Sequence, residues 1–305
     1  MRQDGQQCVK DSKMIPLVVL LGIASSFVVQ AESQECTSCI LLNTTCYNIS
    51  YVLDLQANFR KRVVIPKMAI LRSKNILFYS YEPVFEDEEY YKIGFQSLDN
   101  ESSVGILNIF GGQILNLGTF DIDQDSNSIY FGGSEGIFVL DTNLNKMSFY
   151  SSREDSITNI FYKNRVFFTK NNERGIVFKK GSEFITLYDN ILAKNFVITK
   201  YDVFVILHNT GLFVVKGEER HKISGNAFFR GITMDLEGTV YTWWIDGIYK
   251  VVIKKNLRHS KVVRVAVLPD IGAMTFDNDN NILFTSDKSL YVMKQSKTGC
   301  SVGEE

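Results

Sequence analysis

The sequence predicts an all-β fold, a six-bladed β-propeller closed by an N-terminal strand, and three observations carry that expectation. Short strands recur at a near-constant pitch: Val166-Phe167-Phe168-Thr169, Val203-Phe204-Val205-Ile206 and Val240-Tyr241-Thr242-Trp243 begin 37 residues apart (203 − 166 and 240 − 203). Ile129-Tyr130-Phe131-Gly132 lies 37 earlier (166 − 129), Ile282-Leu283-Phe284-Thr285 lies 42 later (282 − 240), and Ile76-Leu77-Phe78-Tyr79 lies 53 before Ile129 (129 − 76). A period of this size marks a repeat architecture. Each unit also holds about four strand signals in about 40 residues, the spacing of a propeller blade. Finally, the last unit is one strand short, and a spare strand, Tyr51-Val52-Leu53-Asp54-Leu55, stands ahead of the first.

The units read alike from start to finish. An apolar strand leads into a turn rich in Asp, Asn and Gly, followed by the β-branched and aromatic strand of the repeat. A third strand opens on a small residue, as in Gly136-Ile137-Phe138-Val139, Gly175-Ile176-Val177-Phe178, Gly211-Leu212-Phe213-Val214, Gly247-Ile248-Tyr249 and Ser289-Leu290-Tyr291-Val292. A weaker fourth follows, such as Lys146–Tyr150 or Val262–Val265. Blade one is expected over Pro66–Asn108, blade two over Leu117–Tyr150 and blade three over Ile157–Tyr188. Blades four and five take Phe196–Ile223 and Arg230–Val265, and blade six runs from Gly272 to about Lys294. Supplying its fourth strand from Tyr51–Leu55 would close the ring and remove an open sheet edge. An open solenoid is the alternative architecture.

The chain has 305 residues, 45% hydrophobic and 12% aromatic, with a formal charge of −1. That is enough to bury a large core in a single domain. Near-neutral charge argues against nucleic acid or an anionic membrane as the main partner. Ile15–Val29 is an apolar run of 15 residues, short for a bilayer span, followed by Gln30 and Ala31. Residues 1–31 therefore read as a signal peptide cleaved before Glu32, leaving no membrane segment after cleavage. Met14 is an alternative start to Met1. Residues 32–50 form a Cys-rich segment, 51–300 the propeller and 301–305 a tail.

After cleavage four cysteines remain: Cys36, Cys39, Cys46 and Cys300. Four cysteines allow three pairings, and sequence does not choose among them. A bond from Cys300 back to the N-terminal cluster would close the longest loop and constrain the unfolded chain most. Cys36 and Cys39 could instead form a redox or zinc pair, although no thioredoxin pattern or histidine ligand accompanies them. Glycosylation sequons stand at Asn43, Asn48 and Asn100.

Several motifs imitate chemistry. Gly132-Gly133-Ser134-Glu135-Gly136 matches the serine-hydrolase G-x-S-x-G pattern, but joins two antiparallel strands where that motif needs a strand-to-helix turn. Asp121-Ile122-Asp123-Gln124-Asp125 and Asp277-Asn278-Asp279-Asn280-Asn281 resemble calcium loops. In the first, Ser126 and Gly132 replace the required glycine and glutamate. Both segments are expected to be turns between first and second strands, and no metal site is expected. The three histidines, His208, His221 and His259, lack ligand partners at i+2 or i+4. His208 ends the second strand of blade four, on the face where propellers present functional residues.

The better candidates for ligand contact sit at the starts of first strands and the ends of second strands. Trp243 and Trp244 are the only tryptophans, and as strand neighbours they point to opposite faces. Arg230 opens the first strand of blade five, where a guanidinium facing the channel would seek an anion. Asn159, Asn195 and Thr119 hold comparable positions, and Tyr81 ends the second strand of blade one.

The order of Cys46-Tyr47, Val52–Leu55, Asn75–Tyr81, Tyr130–Phe138, Asn164–Thr169, Asn209–Phe213 and Asp246–Tyr249 resembles the ommochrome-binding proteins of lepidopteran haemolymph. The resemblance spans nearly the whole mature chain. It implies a soluble, secreted, monomeric carrier of ommochromes, planar pigments made from tryptophan metabolites, with no catalytic residues and no cofactor to carry over. Two departures stand out: the segment before Met14, and blade four, whose Val203–Leu207 lacks the Phe-Phe-Thr wording. A planar ligand bearing amino-acid groups wants aromatic faces and a cation or amides. Trp243, Trp244, Tyr81, His208, Arg230, Asn159 and Asn195 are the residues expected to supply them. The competing functions are a calcium-dependent lactonase or arylesterase, and an extracellular protein-binding propeller.

Overall fold

The computed structural model describes residues 40–42, 45–84, 91–100, 102–107, 109–110 and 113–296. The signal-peptide segment, Cys36, Cys39, Cys300, Asn43 and the tail lie outside them. Two strands open the described chain, β1 (Ile40–Leu42) and β2 (Thr45–Asp54). Blade one is β3 (Lys67–Leu71), β4 (Ile76–Tyr81), β5 (Lys92–Ser97) and β6 (Val104–Leu107), followed by a small hairpin of β7 (Ile109–Phe110) and β8 (Gln113–Ile114). Blade two is β9 (Leu117–Asp123), β10 (Ser128–Gly133), β11 (Gly136–Asp141) and β12 (Lys146–Ser151). Blade three is β13 (Ile157–Tyr162), β14 (Val166–Lys170), β15 (Ile176–Lys180) and β16 (Glu183–Leu187). Blade four is β17 (Asn195–Ile198), β18 (Phe204–His208), β19 (Gly211–Lys216) and β20 (Glu219–Ser224). Blade five is β21 (Gly231–Met234), β22 (Val240–Trp244), β23 (Gly247–Val252) and β24 (Lys261–Ala266), and blade six contributes β25 (Met274–Phe276), β26 (Ile282–Ser286) and β27 (Ser289–Gln295).

Blades one to five are four-stranded antiparallel meanders, and the sixth sheet runs β1-β2-β27-β26-β25. The expected closure is therefore present. β2 lies antiparallel to β27 with Tyr47 opposite Gln295 and Asp54 opposite Ser289, and it starts at Thr45, inside the segment read as Cys-rich. Among the described residues no helix is long and apolar enough to cross a membrane.

The core is divided into six apolar clusters, one at each junction between neighbouring blades. Strand pleating explains this, because alternate side chains point to opposite faces. In β18, Phe204 and Ile206 pack toward blade three while Val205 and Leu207 pack toward blade five. The near-continuous apolar runs of the repeat are thus strands buried on both faces. Divergent wording in blade four keeps this property, which is all the packing demands.

The turns follow the expected chemistry. Asp277 accepts backbone N–H groups from Asp279 and Asn281 at 2.9 and 2.8 Å. Asp123 accepts Asp125 N–H at 3.1 Å and the Ser126 hydroxyl at 2.6 Å. Asp121 departs from the expectation: it belongs to β9, not to the turn. The G-x-S-x-G segment is the β10–β11 hairpin, with a register shift at Gly132/Gly133. Its glycines answer to packing, since a Cβ on Gly133 would lie 1.6 Å from the Asn116 carbonyl oxygen, and Gly136 has φ +101°.

Two outcomes test the hairpin packing and the ring closure. Gly133→Ala is expected to destabilise the fold by about 3 kcal/mol, whereas Ser134→Ala, a half-buried hairpin-tip change that gives up only a long bond to the neighbouring Glu135, leaves the thermal midpoint unchanged. Deleting residues 40–54 uncovers the β27 edge and part of the junction between blades six and one. The shortened chain should lose its single cooperative melt and self-associate in size-exclusion chromatography.

Candidate ligand-binding channel

The first strands of the six blades converge on a central channel, and each leaves one edge without a backbone ladder partner. Buried N–H and C=O groups must be satisfied somehow, and here side chains from neighbouring blades do it. Thr119 and Asp121 of β9 reach β13, where Thr119 Oγ1 accepts Ile160 N–H at 3.2 Å and Asp121 Oδ2 accepts Tyr162 N–H at 2.6 Å. Lys67 Nζ crosses from β3 to donate to the Ile160 carbonyl at 2.7 Å. Gln124 Nε2 donates to the Ile70 carbonyl at 2.8 Å and its Oε1 accepts Arg72 N–H at 3.0 Å.

Lys67, Ile70, Arg72, Asp121, Gln124 and Tyr162 bound a cavity of about 310 Å³ whose lining also includes Phe161, Asn195, Phe196, Trp243, Met68, Met234, Met274 and Asp235. The charged groups there are perturbed by burial. Desolvation pushes the Lys67 ammonium below its ordinary value, and attraction from Asp121 opposes this. Desolvation pushes the Asp121 carboxyl up, against the pull of Lys67, the Tyr162 and Ile122 N–H groups and Arg72. Neither Lys67 nor Asp121 takes part in any direct ion pair among the described residues. Arg72 Nε is buried without a hydrogen-bond partner.

The residues expected from sequence divide into two groups. Trp243 and Asn195 line the cavity. Trp243 is 3% exposed, and its Nε1 donates to the Gly272 carbonyl of blade six at 3.0 Å. Asn195 accepts the Asn159 amide at 2.9 Å, so Asn159 stands behind it as a bridge between blades three and four. Trp244 is half-buried against the cluster between blades four and five, away from the cavity lining. Arg230 is exposed and spans to blade six, donating to the Ile271 carbonyl at 2.6 Å. Tyr81 is fully buried in an aromatic group with Tyr79 and Phe59. His208 packs edge-on to Phe213, and its Nδ1 accepts Thr210 N–H at 3.2 Å.

Lys67, Arg72, Asp121 and Gln124 escaped sequence reasoning. Lys67 follows Pro66 at the start of the first blade, a polar opening to an apolar strand, and that was the available signal for it. Asp121 was masked by its place in a run of alternating aspartates.

Outside the channel, Asn100 is exposed and its Oδ1 accepts both the backbone N–H and the hydroxyl of Ser102, at 3.1 and 2.7 Å. Asn48 lies in β2 with a buried Oδ1. Cys46 lies in the same strand and is 9% exposed. Among the described residues no group of three or more His, Cys, Asp or Glu could hold a metal ion.

No protein-family model matches the chain. It is 23% identical over 222 residues to the ommochrome-binding protein of Manduca sexta, a match covering 71% of this chain and 78% of that one. Among solved structures it resembles a gluconolactonase from Xanthomonas campestris, with a TM-score of 0.59, 9% identity, and coverage of 86% of this chain and 96% of the other. A streptogramin B lyase superposes with a TM-score of 0.52 at 11% identity, covering 82% of this chain and 98% of the other. At such identities the structural likenesses establish the propeller fold alone.

His208 yields a pH test. Burial, then the charges of Arg220, Lys194, Lys222 and Arg174, lower its pKa from the ordinary 6.5. The unfolded chain therefore takes up the proton first, so this contribution to stability is whole above pH 6.5 and is lost as pH falls below it. His208→Gln should show a smaller drop in thermal midpoint between pH 7.5 and pH 5 than the unaltered protein.

Proposed function

We propose that this protein is a secreted carrier that holds a small planar aromatic ligand of the ommochrome type in its central channel. The observation that carries the reading is the channel cavity itself, which combines aromatic residues such as Phe161, Tyr162, Phe196 and Trp243 with a few inward polar and charged groups. Apolar walls with a small number of placed polar groups are the usual make-up of a small-molecule site. The similarity to the ommochrome-binding protein of Manduca sexta supports the ligand class.

Secretion is part of the proposal. It draws on residues 1–31 as a signal peptide, and on the four cysteines, Cys36, Cys39, Cys46 and Cys300, that would remain after its removal and suit an oxidising compartment. Exposure of Asn100 and its contacts to Ser102 support glycosylation there in preference to Asn48. The carrier is proposed to act as a monomer in haemolymph.

A calcium-dependent hydrolase of the same fold is the second reading, and it is favoured only by the likeness to the gluconolactonase. The lining weighs against it, because it offers only the two acids Asp121 and Asp235, each already accepting backbone N–H groups, where calcium wants six to eight oxygen ligands. A lactonase assay with and without calcium separates the two readings.

The two tryptophans offer a direct test. Xanthommatin is titrated into the mature protein, following its visible absorption for binding and tryptophan emission for location. Saturable quenching is expected at micromolar ligand or below. Trp244→Phe should keep most of the quenching and Trp243→Phe should lose most of it, since only Trp243 lines the cavity. The Trp243→Phe protein should also be about 1 kcal/mol less stable for want of the bond to Gly272. Quenching that survives in Trp243→Phe and vanishes in Trp244→Phe would move the site out of the channel.

A further inference from the structure

We propose that the channel recognises a zwitterionic α-amino-acid group on its ligand, taking the carboxylate on Lys67 and Arg72 and the ammonium on Asp121. The aromatic body of that ligand rests on the carrier reading above; the amino-acid head rests on the charges alone.

The cavity lining carries two cations and two acids, sorted by position: Lys67 on β3 and Arg72 just after it, Asp121 on β9, and Asp235 just after β21. Each leaves hydrogen-bonding capacity of a defined sign facing inward. An ammonium has three donors, and Lys67 spends one on the Ile160 carbonyl. A carboxylate has about four acceptor sites, and Asp121 gives two to the Tyr162 and Ile122 N–H groups. Arg72 Nε is buried and has no acceptor. Asp235 is less free, because its Oδ1 closes its own turn by accepting Glu237 and Thr239 N–H at 3.0 and 2.7 Å.

Lys67 and Asp121 attract each other, yet no direct ion pair joins them, so each ion remains available to a third party. Ions withdrawn from water are costly unless paired, which is a standing incentive to bind a ligand carrying the complementary charges. A plain carboxylate would satisfy blade one but add a negative charge facing Asp121 and Asp235. A plain amine would do the reverse to Lys67 and Arg72. A zwitterion pairs with both sides and leaves the balance of the cavity unchanged.

The test is calorimetric titration of the mature protein with L-tryptophan, tryptamine and indole-3-propionate, which share one ring and carry both charges, the ammonium only and the carboxylate only. L-tryptophan is expected to bind at least tenfold more tightly than either single-charge compound. Lys67→Met should reduce L-tryptophan to the level of tryptamine, and Asp121→Asn to that of indole-3-propionate. Should either variant fail to fold, the comparison on the unaltered protein decides alone. Equal affinity for all three compounds, or indole-3-propionate as tight as L-tryptophan, would overturn the proposal.

Xanthommatin is titrated alongside. If it binds the unaltered protein and both variants alike, the zwitterion site falls and the carrier reading stands. If L-tryptophan discriminates as expected but xanthommatin does not bind, the pigment reading falls and the charge site stands. If none of the compounds binds, both fall.

Discussion

The pairing of β2 with β27 is the constraint on which the rest of the structure depends. Each blade buries both of its faces, one against each neighbour, so a missing junction would leave two apolar faces in water. A ring of six satisfies every face only when it closes, and the chain closes it by joining residues from its two ends in one sheet. The strand is also more than a lid. Leu53 and the following Leu55 enter the cluster between blades six and one, so the ladder and the packing reinforce each other.

Closure brings six first strands together around one axis, and this creates a second demand. Their inward edges cannot pair with one another across the channel, so side chains must take the place of a ladder. Blades two and three are tied by Thr119 and Asp121, blades three and four by Asn159 and Lys163, and blades five and six by Arg230 and Trp243. Among the described residues the junction between blades four and five is instead held by its apolar cluster. The polar residues of the inner strands thus have a structural duty before any functional one. In the proposed site Lys67 and Asp121 serve both, because after one backbone bond for the lysine and two for the aspartate each still has bonding capacity left for the channel.

Blade number, strand positions and turn chemistry were legible in the sequence because each depends on short-range pattern. Asp277 and Asp123 cap their turns through neighbours two to four residues away, and the paired apolar faces of β18 are visible as an unbroken run. Even closure was readable, as a strand lacking in the last unit and surplus before the first. The candidate site was only partly legible. Trp243 and Asn195 line the cavity, Trp244, Arg230, Tyr81 and His208 lie outside its lining, and Lys67, Arg72 and Asp121 line it without having been singled out as ligand contacts.

The reason is geometric. A side chain on a first strand can face one neighbouring blade, the other neighbour or the channel, and alternation along the strand distinguishes only two of these three directions. Which residues reach the axis depends on how six strands tilt and stagger against one another, which no single repeat encodes. Asp121 shows this most plainly: locally it is one of three alternating aspartates before a turn, and only the arrival of β3 and β13 beside it turns it into a channel group. The sequence by itself determined the ring and its number of blades, because periodic burial admits few other solutions. The convergence of the inner strands decided where charge is held within it.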